Sequence, residues 1–366
     1  MRGQRKRESV ARLRRVAHFT GATLVALLAV AASLTVVAGT AAASSAGSAG
    51  SAGSAGSAAG SNPVLGVYAG AAYPAAVPAF AKTIGTRPGY AMDFLLGTTW
   101  RTITQGRWPY TKWKGKGYTM VWGVNMLPDT YSPNADAQQA GGSCFGLTQG
   151  ARGLFDHYFR TVAANIVRAG FPVSVIRFGW EFNGNWFPWS AQGCASAYVR
   201  YFDNIVTTMR AVRGTHFTFE WNPTRGDLGV GALSQYYPGD NYVDDIGLDV
   251  YDLEQEHYPG ARAEFTHMLT QRDGLNWLTS FASAHKKAIV LPEWGLGWGA
   301  CSASGQPISA SGQQVCGGDD ATWVNLMATW IAAHKVAEAT YWNFSTSLVG
   351  SGHNPLTAKA LASSFG

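Results

Sequence analysis

Eight short apolar runs, separated for the most part by stretches with helical spacing, constrain this chain more than any other feature. The runs are Val64 to Tyr68, Ala91 to Leu96, Tyr118 to Val124, Val173 to Phe178, Phe217 to Trp221, Asp245 to Tyr251, Ala288 to Leu291 and Ala339 to Asn343. Each is rich in β-branched or aromatic residues and short enough to be a strand. Between them, Phe155, Phe159, Val162 and Ile166 recur every three or four residues, as do Tyr198, Phe202, Ile205, Met209 and Val212, and Trp323, Met327 and Ile331. That is the spacing of one helix face. The first two connections are less regular, with short helices expected around Ala79 and Trp100. Strands that alternate with crossover helices run parallel, and eight such units close a barrel. An open doubly wound sheet is the alternative, but its ligand signature belongs after the first strand, where Tyr68-Ala69-Gly70-Ala71-Ala72 has no Gly-x-Gly-x-x-Gly. The expected fold class is α/β, a single-domain (β/α)8 TIM barrel.

The barrel starts late in the chain. Met1 to Thr20 carries seven basic residues and one acid, followed by an apolar stretch from Gly21 to Gly39 and then Ala41-Ala42-Ala43. This pattern predicts that residues 1–43 are a signal peptide, with an uncleaved membrane anchor as the rival reading. Residues 44–61 are a Ser-Ala-Gly repeat with no larger apolar side chain, which predicts a linker. Residues 62–366 are left for the barrel domain, and the expected location is extracellular, with membrane attachment only through an uncleaved leader. The formal charge of +6 belongs to the leader, because removing it leaves 21 basic and 21 acidic residues. A neutral domain gives no support to nucleic-acid binding. With 14 Trp, 15 Tyr and 17 Phe it suits an uncharged polymer.

Four cysteines, Cys144, Cys194, Cys301 and Cys316, none in a Cys-x-x-Cys pair, predict disulfides rather than a metal site in an exported chain. The favoured pairing is Cys144 with Cys194, in loops after adjacent strands, and Cys301 with Cys316, within one loop.

Two glutamates carry the chemistry. Glu181 lies in Arg-Phe-Gly-Trp-Glu-Phe-Asn-Gly-Asn-Trp-Phe-Pro-Trp (177 to 189), and Glu293 in Leu-Pro-Glu-Trp-Gly (291 to 295). Both follow apolar runs and both stand beside tryptophan and glycine, which offer a sugar a flat face and a close backbone approach. Two carboxyls suffice to hydrolyse a glycosidic bond, one as proton donor and one as nucleophile or base. Strand parity puts Arg177, Gly179 and Glu181 on one face if the strand persists, and Asp249 on the face of Tyr251. A buried Arg177 near Glu293 would keep it ionised, while the aromatic surroundings of Glu181 would raise its pKa. Glu220, on the face of Asn222, is a further carboxylate with a supporting role expected. No Gly-x-Ser-x-Gly or His-Glu-x-x-His occurs, which argues against serine or metal hydrolysis.

These motifs resemble those of clan A glycoside hydrolases, and most closely family 26, which holds β-mannanases with some β-glucanases and β-1,3-xylanases. The resemblance implies Glu181 as acid/base, Glu293 as nucleophile, and Tyr251 touching the nucleophile. It also implies Trp342 under the sugar at the cleavage point. Candidate sugar contacts are Arg177, Trp180, Asn183, Trp186, Trp189, Asn222, Tyr251, Trp298 and Trp342. Trp180 departs from the pattern, since the family has His and the wider clan Asn before the acid/base residue. The expected protein is a secreted retaining β-glycosidase, a monomer without cofactor or metal, acting on β-mannan, β-glucan or xylan. A catalytically silent barrel that binds polysaccharide is the alternative, since fold alone does not decide function.

Overall fold

The computed structural model describes residues 61–131, 144–253, 258, 260–297 and 318–366. Nine parallel strands form the sheet: β1 (Ser61–Tyr68), β2 (Arg87–Phe94), β3 (Thr119–Val124), β4 (Val173–Phe178), β5 (His216–Trp221), β6 (Asp245–Gly247), β7 (Val250–Asp252), β8 (Ala288–Leu296) and β9 (Glu338–Trp342). Their order is β6-β5-β4-β3-β2-β1-β9-β8-β7, and a further β6–β8 pairing closes the ring. The short β6 and β7 follow one another along β8, so the barrel has eight staves. The expected run Asp245 to Tyr251 is thus interrupted at Leu248 and Asp249. There Asp249 bridges to Thr224 in the loop after β5 instead of to a strand.

Around the barrel lie α1 (Ala76–Ile84), α2 (Trp100–Gln105), α3 (Trp108–Trp113), α4 (Phe145–Ala151), α5 (Asp156–Ala169), α6 (Ala195–Arg210), α7 (Ala261–Thr270), α8 (Leu275–His285), α9 (Ala321–Ala333) and α10 (Pro355–Phe365). Local chemistry sets several ends. Thr99 and Thr102 form a reciprocal capping box at α2, the Asp320 side chain accepts from Trp323 N at α9, and α5 stops at Gly170 with φ +99°. The periodic side chains point inward as expected, with Phe159, Val162 and Ile166 of α5 and Tyr198, Phe202, Ile205 and Met209 of α6 fully buried.

The strands separate two cores. Leu65, Ala91, Trp122 and Ile176 face outward into the large layer beneath the helices. Their neighbours Tyr68, Met92, Val121 and Val175 form a smaller cluster inside the barrel, with Phe94, Trp342 and Phe344 packed against it. This alternation is the period-2 geometry of a strand, and it puts Arg177, two residues after Val175, inside the barrel.

Cys144 and Cys194 are joined, with Cα atoms 5.5 Å apart. They stand at the N-terminal ends of α4 and α6. The two helices pack closely because Gly150 leaves room for the Tyr201 ring. Cys301, Cys316 and Trp298 lie outside the described residues. Among the described residues no helix is long and apolar enough to cross a membrane.

The bridge spans a sequence separation of 50. A loop of that size is worth about 4 kcal/mol in the chain-entropy model. The double variant Cys144→Ser/Cys194→Ser should therefore melt roughly 5 to 10 °C lower by calorimetry, and an unchanged melting temperature would show that the two helices hold together without it.

Candidate active site

Arg177, the penultimate residue of β4, organises the interior and is fully buried. Its Nη1 donates to Glu293 Oε1 at 2.5 Å, its Nη2 to Asp249 Oδ2, and its Nε to Asn222 Oδ1 at 3.0 Å. Burial works against the guanidinium's charge, but Asp249, Glu293 and Glu220 together outweigh it and hold the group protonated. The ring of Trp180 covers the guanidinium at 5.2 Å. Asp249 is pushed well above the carboxylate range by burial, with the charge of Arg177 opposing. Its place was legible, because parity with Tyr251 put it on the inward face, and an inward acid requires a partner.

Glu293 reaches the interior through a bulge. Gly247 pairs with Val290 and Val250 with Trp294, so β8 has one residue more than its partner over that span. The register shifts against β9 as well, between Leu291 and Trp294. Both Leu291 and Trp294 lie in the outer core although they are three positions apart. Strict alternation would have sent Glu293 outward with Leu291, and the extra residue turns it in. Pro292 suits the bulge because it has no N–H to place in the ladder. Gly247 makes room, since a Cβ there would lie 2.9 Å from the Pro292 ring. Tyr251 Oη then donates to Glu293 Oε2 at 2.6 Å, so both oxygens of the carboxylate are held.

Glu181 is not on a strand. β4 ends at Phe178, and the chain turns through Gly179 at φ +60° and Glu181 at φ +49°. Strand parity therefore does not bring Glu181 in as expected; a left-handed turn does. That conformation is costly for a residue with a Cβ, and such strain concentrates at functional sites. The turn is tied down where Glu181 N donates to Asn222 O at 3.0 Å. Trp186 Nε1 donates to Glu181 Oε2 at 2.7 Å. Burial, and then the charge of Glu293, push Glu181 up to about 7, against the Trp186 bond and Arg177.

Several expected sugar contacts have other duties. Arg177 and Asn222 are closed off beneath the carboxyls and hold each other. Asn183 is fully buried and ties two loops, donating to Thr224 O at 2.7 Å and accepting from Thr224 N at 3.0 Å. Trp189 is fully buried, stacked on Phe187, and its Nε1 donates to Trp180 O. It offers no face to a ligand. Trp180 exposes only 5% of its surface, packed among Phe94, Phe187 and Trp189. Trp186 and Trp342 keep open surface. Trp342 stacks on Tyr68 with centroids 4.1 Å apart, and Tyr251 and Phe94 meet it edge-on. Tyr68 and Phe94 were missed as members of this wall; both close their strands with a large aromatic, which was the available signal. Among the described residues no cluster of His, Cys, Asp and Glu could hold a metal ion.

A closed parallel barrel with one buried glutamate after its fourth stave and another within its seventh resembles the layout of a clan A glycoside hydrolase. Residues 156–283, from α5 through most of α8, match the model of Glycosyl hydrolase family 26. This match supports family 26 within that clan. Over 120 residues, 31% of this chain, it is 31% identical to a mannan endo-1,4-beta-mannosidase of Bifidobacterium adolescentis. Over 78 residues, 20% of this chain, it is 35% identical to endoglucanase H of Acetivibrio thermocellus. These matches span only 11% and 9% of the two relatives' own lengths. Among solved structures, GH26C from a Muricauda species superposes with a TM-score of 0.57 at 14% identity, covering 82% of this chain and 86% of that one. The family 26 β-mannanase of Bacteroides ovatus gives 0.52 at 16% identity, covering 82% and 88%. At such identities the structures speak for the fold alone.

The Trp186 bond favours the ionised form of Glu181, so its removal in Trp186→Phe should raise the Glu181 pKa. Titration of Glu181 followed by NMR should move upward by roughly half a unit or more; an unchanged or lowered value would mean the bond does not act on the carboxyl in solution.

Proposed function

We propose that this protein is a secreted retaining β-glycosidase that hydrolyses a neutral polysaccharide by double displacement, with Glu293 as nucleophile and Glu181 as acid/base. The observation that carries the reading is the unequal treatment of the two carboxyls. Glu293 has both oxygens occupied by the donors Arg177 and Tyr251, which fix its orientation. Glu181 sits with a pKa near 7, raised chiefly by burial, and so enters the reaction with its proton. Environments that separate two carboxyls in this way assign acid and nucleophile.

In the first step Glu181 gives its proton to the glycosidic oxygen while a Glu293 oxygen attacks the anomeric carbon. The glycosidic bond breaks, the leaving sugar departs with its new hydroxyl, and a glycosyl ester forms on Glu293. In the second step Glu181, now a carboxylate, takes a proton from water as its oxygen attacks the same carbon, which frees Glu293 and restores the acid. Trp342, stacked on Tyr68, and the open face of Trp186 supply aromatic surface against which sugar rings can pack. An uncharged aromatic wall suits a neutral glycan. The relatives, a mannan endo-1,4-beta-mannosidase and an endoglucanase, support β-mannan or β-glucan, with xylan the third candidate.

The competing reading is a barrel that binds polysaccharide without cleaving it. Trp180 favours it, because an indole stands where the family has a polar group beside the acid/base residue. Turnover on a panel of mannans, mixed-linkage glucans and xylans separates the two, and a protein that binds one of them with no release of reducing ends is the silent barrel.

For the enzyme, early products followed by 1H NMR should retain the β-anomeric configuration, and inversion would exclude Glu293 as a nucleophile. Glu293→Ala should lower kcat on every accepted substrate by at least about a thousandfold, with partial recovery in azide, whereas Glu181→Ala should still cleave substrates with good leaving groups. Equal loss for both variants on all substrates would remove the separate roles. As pH rises through about 7, Glu181 loses the proton it must donate, so kcat/KM should fall along a limb near that value.

A further inference from the structure

The barrel interior holds more acid than its cation can neutralise. Arg177 is the only Lys or Arg among the buried residues described. Five buried carboxyls, Asp249, Glu293, Glu181, Glu220 and Glu338, all feel its charge. Asp249 and Glu293 bind it directly. Glu220 is the penultimate residue of β5 and Glu338 the first of β9, and nothing in the chemistry proposed above uses them.

Glu220 is the stranger of the two. It is fully buried, pairs with Arg177 in the β4–β5 register, and pairs with Asp245 in the β5–β6 register. Neither of its oxygens has a hydrogen-bond donor within reach. Glu338 begins β9; its Oε1 accepts from the Thr340 hydroxyl and its Oε2 is buried without a partner. Gly66 permits this arrangement, since a Cβ there would come within 2.9 Å of Glu338 Oε1. An ionised carboxylate in a dry interior with no donor costs several kcal/mol. A carboxylic acid beside a second carboxyl avoids that cost, because its own O–H becomes the donor.

We propose that Glu220 and Glu338 share a proton inside the barrel and act as positioning residues for Glu293. The shared proton keeps a second charge of this pair off Arg177, which leaves the guanidinium to serve Glu293. The functional half of this inference rests on the retaining-glycosidase reading; the shared proton does not. The groups facing the pair are Arg177 from β4, Asp245 from β6, Tyr90 from β2 and Thr340 from β9. Burial is the main force holding the proton, raising Glu338 to about 8 and Glu220 well above the carboxylate range, and the charge of Arg177 opposes it in each.

The full chain and the variants Glu220→Gln, Glu338→Gln and their double test the idea. A carboxyl whose folded pKa exceeds its unfolded value stays protonated in the native state while the unfolded chain has released its proton. Stability then falls as pH rises from the ordinary carboxylate range to the folded pKa. Glutamine imitates the protonated acid and removes that fall. The melting temperature of Glu220→Gln should therefore gain on the wild type steadily between about pH 5 and 8. The infrared difference at pH 7 between Glu181→Gln, which removes the proton of Glu181, and the same variant with the double substitution should show the loss of one protonated carboxyl band, with Asp249 present in both and cancelling. A flat melting difference for both single variants, or no lost band in that difference, overturns the shared proton. For the positioning role, the double variant leaves no charge of this pair to compete for Arg177. On an accepted glycan kcat should then change by roughly threefold or more while KM stays within about twofold. An unchanged kcat while the proton is found overturns the positioning role alone. If no glycan is turned over, the melting and infrared results still decide the proton.

Discussion

A single buried guanidinium sets the terms for everything inside this barrel. Arg177 has no water to solvate it, so its charge must be met by side chains, and Glu293, Asp249 and Asn222 converge on it from β8, from the gap between β6 and β7, and from the end of β5. A buried charge with its partners in place is tolerable, whereas any one of them left alone would be costly. The requirement couples staves that are distant around the ring, and it orients Glu293 without any help from a bound substrate. Catalysis by preorganised charge needs this kind of rigidity, because groups that do not move at the moment of reaction cost nothing to reorganise.

Both glutamates depend on departures from regular strand geometry. Glu293 turns inward because β8 has an extra residue at Pro292, accommodated by the bare Cα of Gly247. Glu181 arrives through two left-handed residues, Gly179 and Glu181 itself, with Trp180 between them. An ideal strand would have carried the first to the helix layer and the second along the wall. Bulges and positive φ values are unfavourable locally, and they persist here because the surrounding core over-determines them: Trp294 is locked between Trp323 and Tyr341, and the turn at Glu181 is bonded to Asn222 and Thr224 through its own backbone and through Asn183.

The aromatic residues divide into two populations that composition cannot separate. Trp122, Trp189, Trp221, Trp294 and Trp323 are fully buried and fill volume. Trp186 and Trp342 stand at the open side of the carboxyls, one bonded to Glu181 and the other stacked on Tyr68. Trp189 and Trp186 are three residues apart in the same glycine-rich loop, yet one is core and the other is surface. A loop that folds back on itself buries one side of its own sequence, and Phe187 supplies the lid.

Strand and helix periods made the barrel legible from the sequence, because eight apolar runs with crossover helices admit few other closed arrangements. The observed β4 spans the same residues as the sequence-based run, and the remaining bounds differ by a few residues. Parity also delivered Arg177 and Tyr251 to the inward face, and hydrophobic company marked both glutamates. What parity could not deliver was the phase change at Pro292, the turn at Gly179 and Glu181, the break at Asp249, or the choice of Trp186 over Trp189 as the exposed indole. Those depend on what packs against each residue from elements far away in the chain. A period is a local property that a sequence carries by itself, whereas the cost of a bulge, a left-handed residue or an unpaired buried charge is decided only by the neighbours that tertiary structure brings to it.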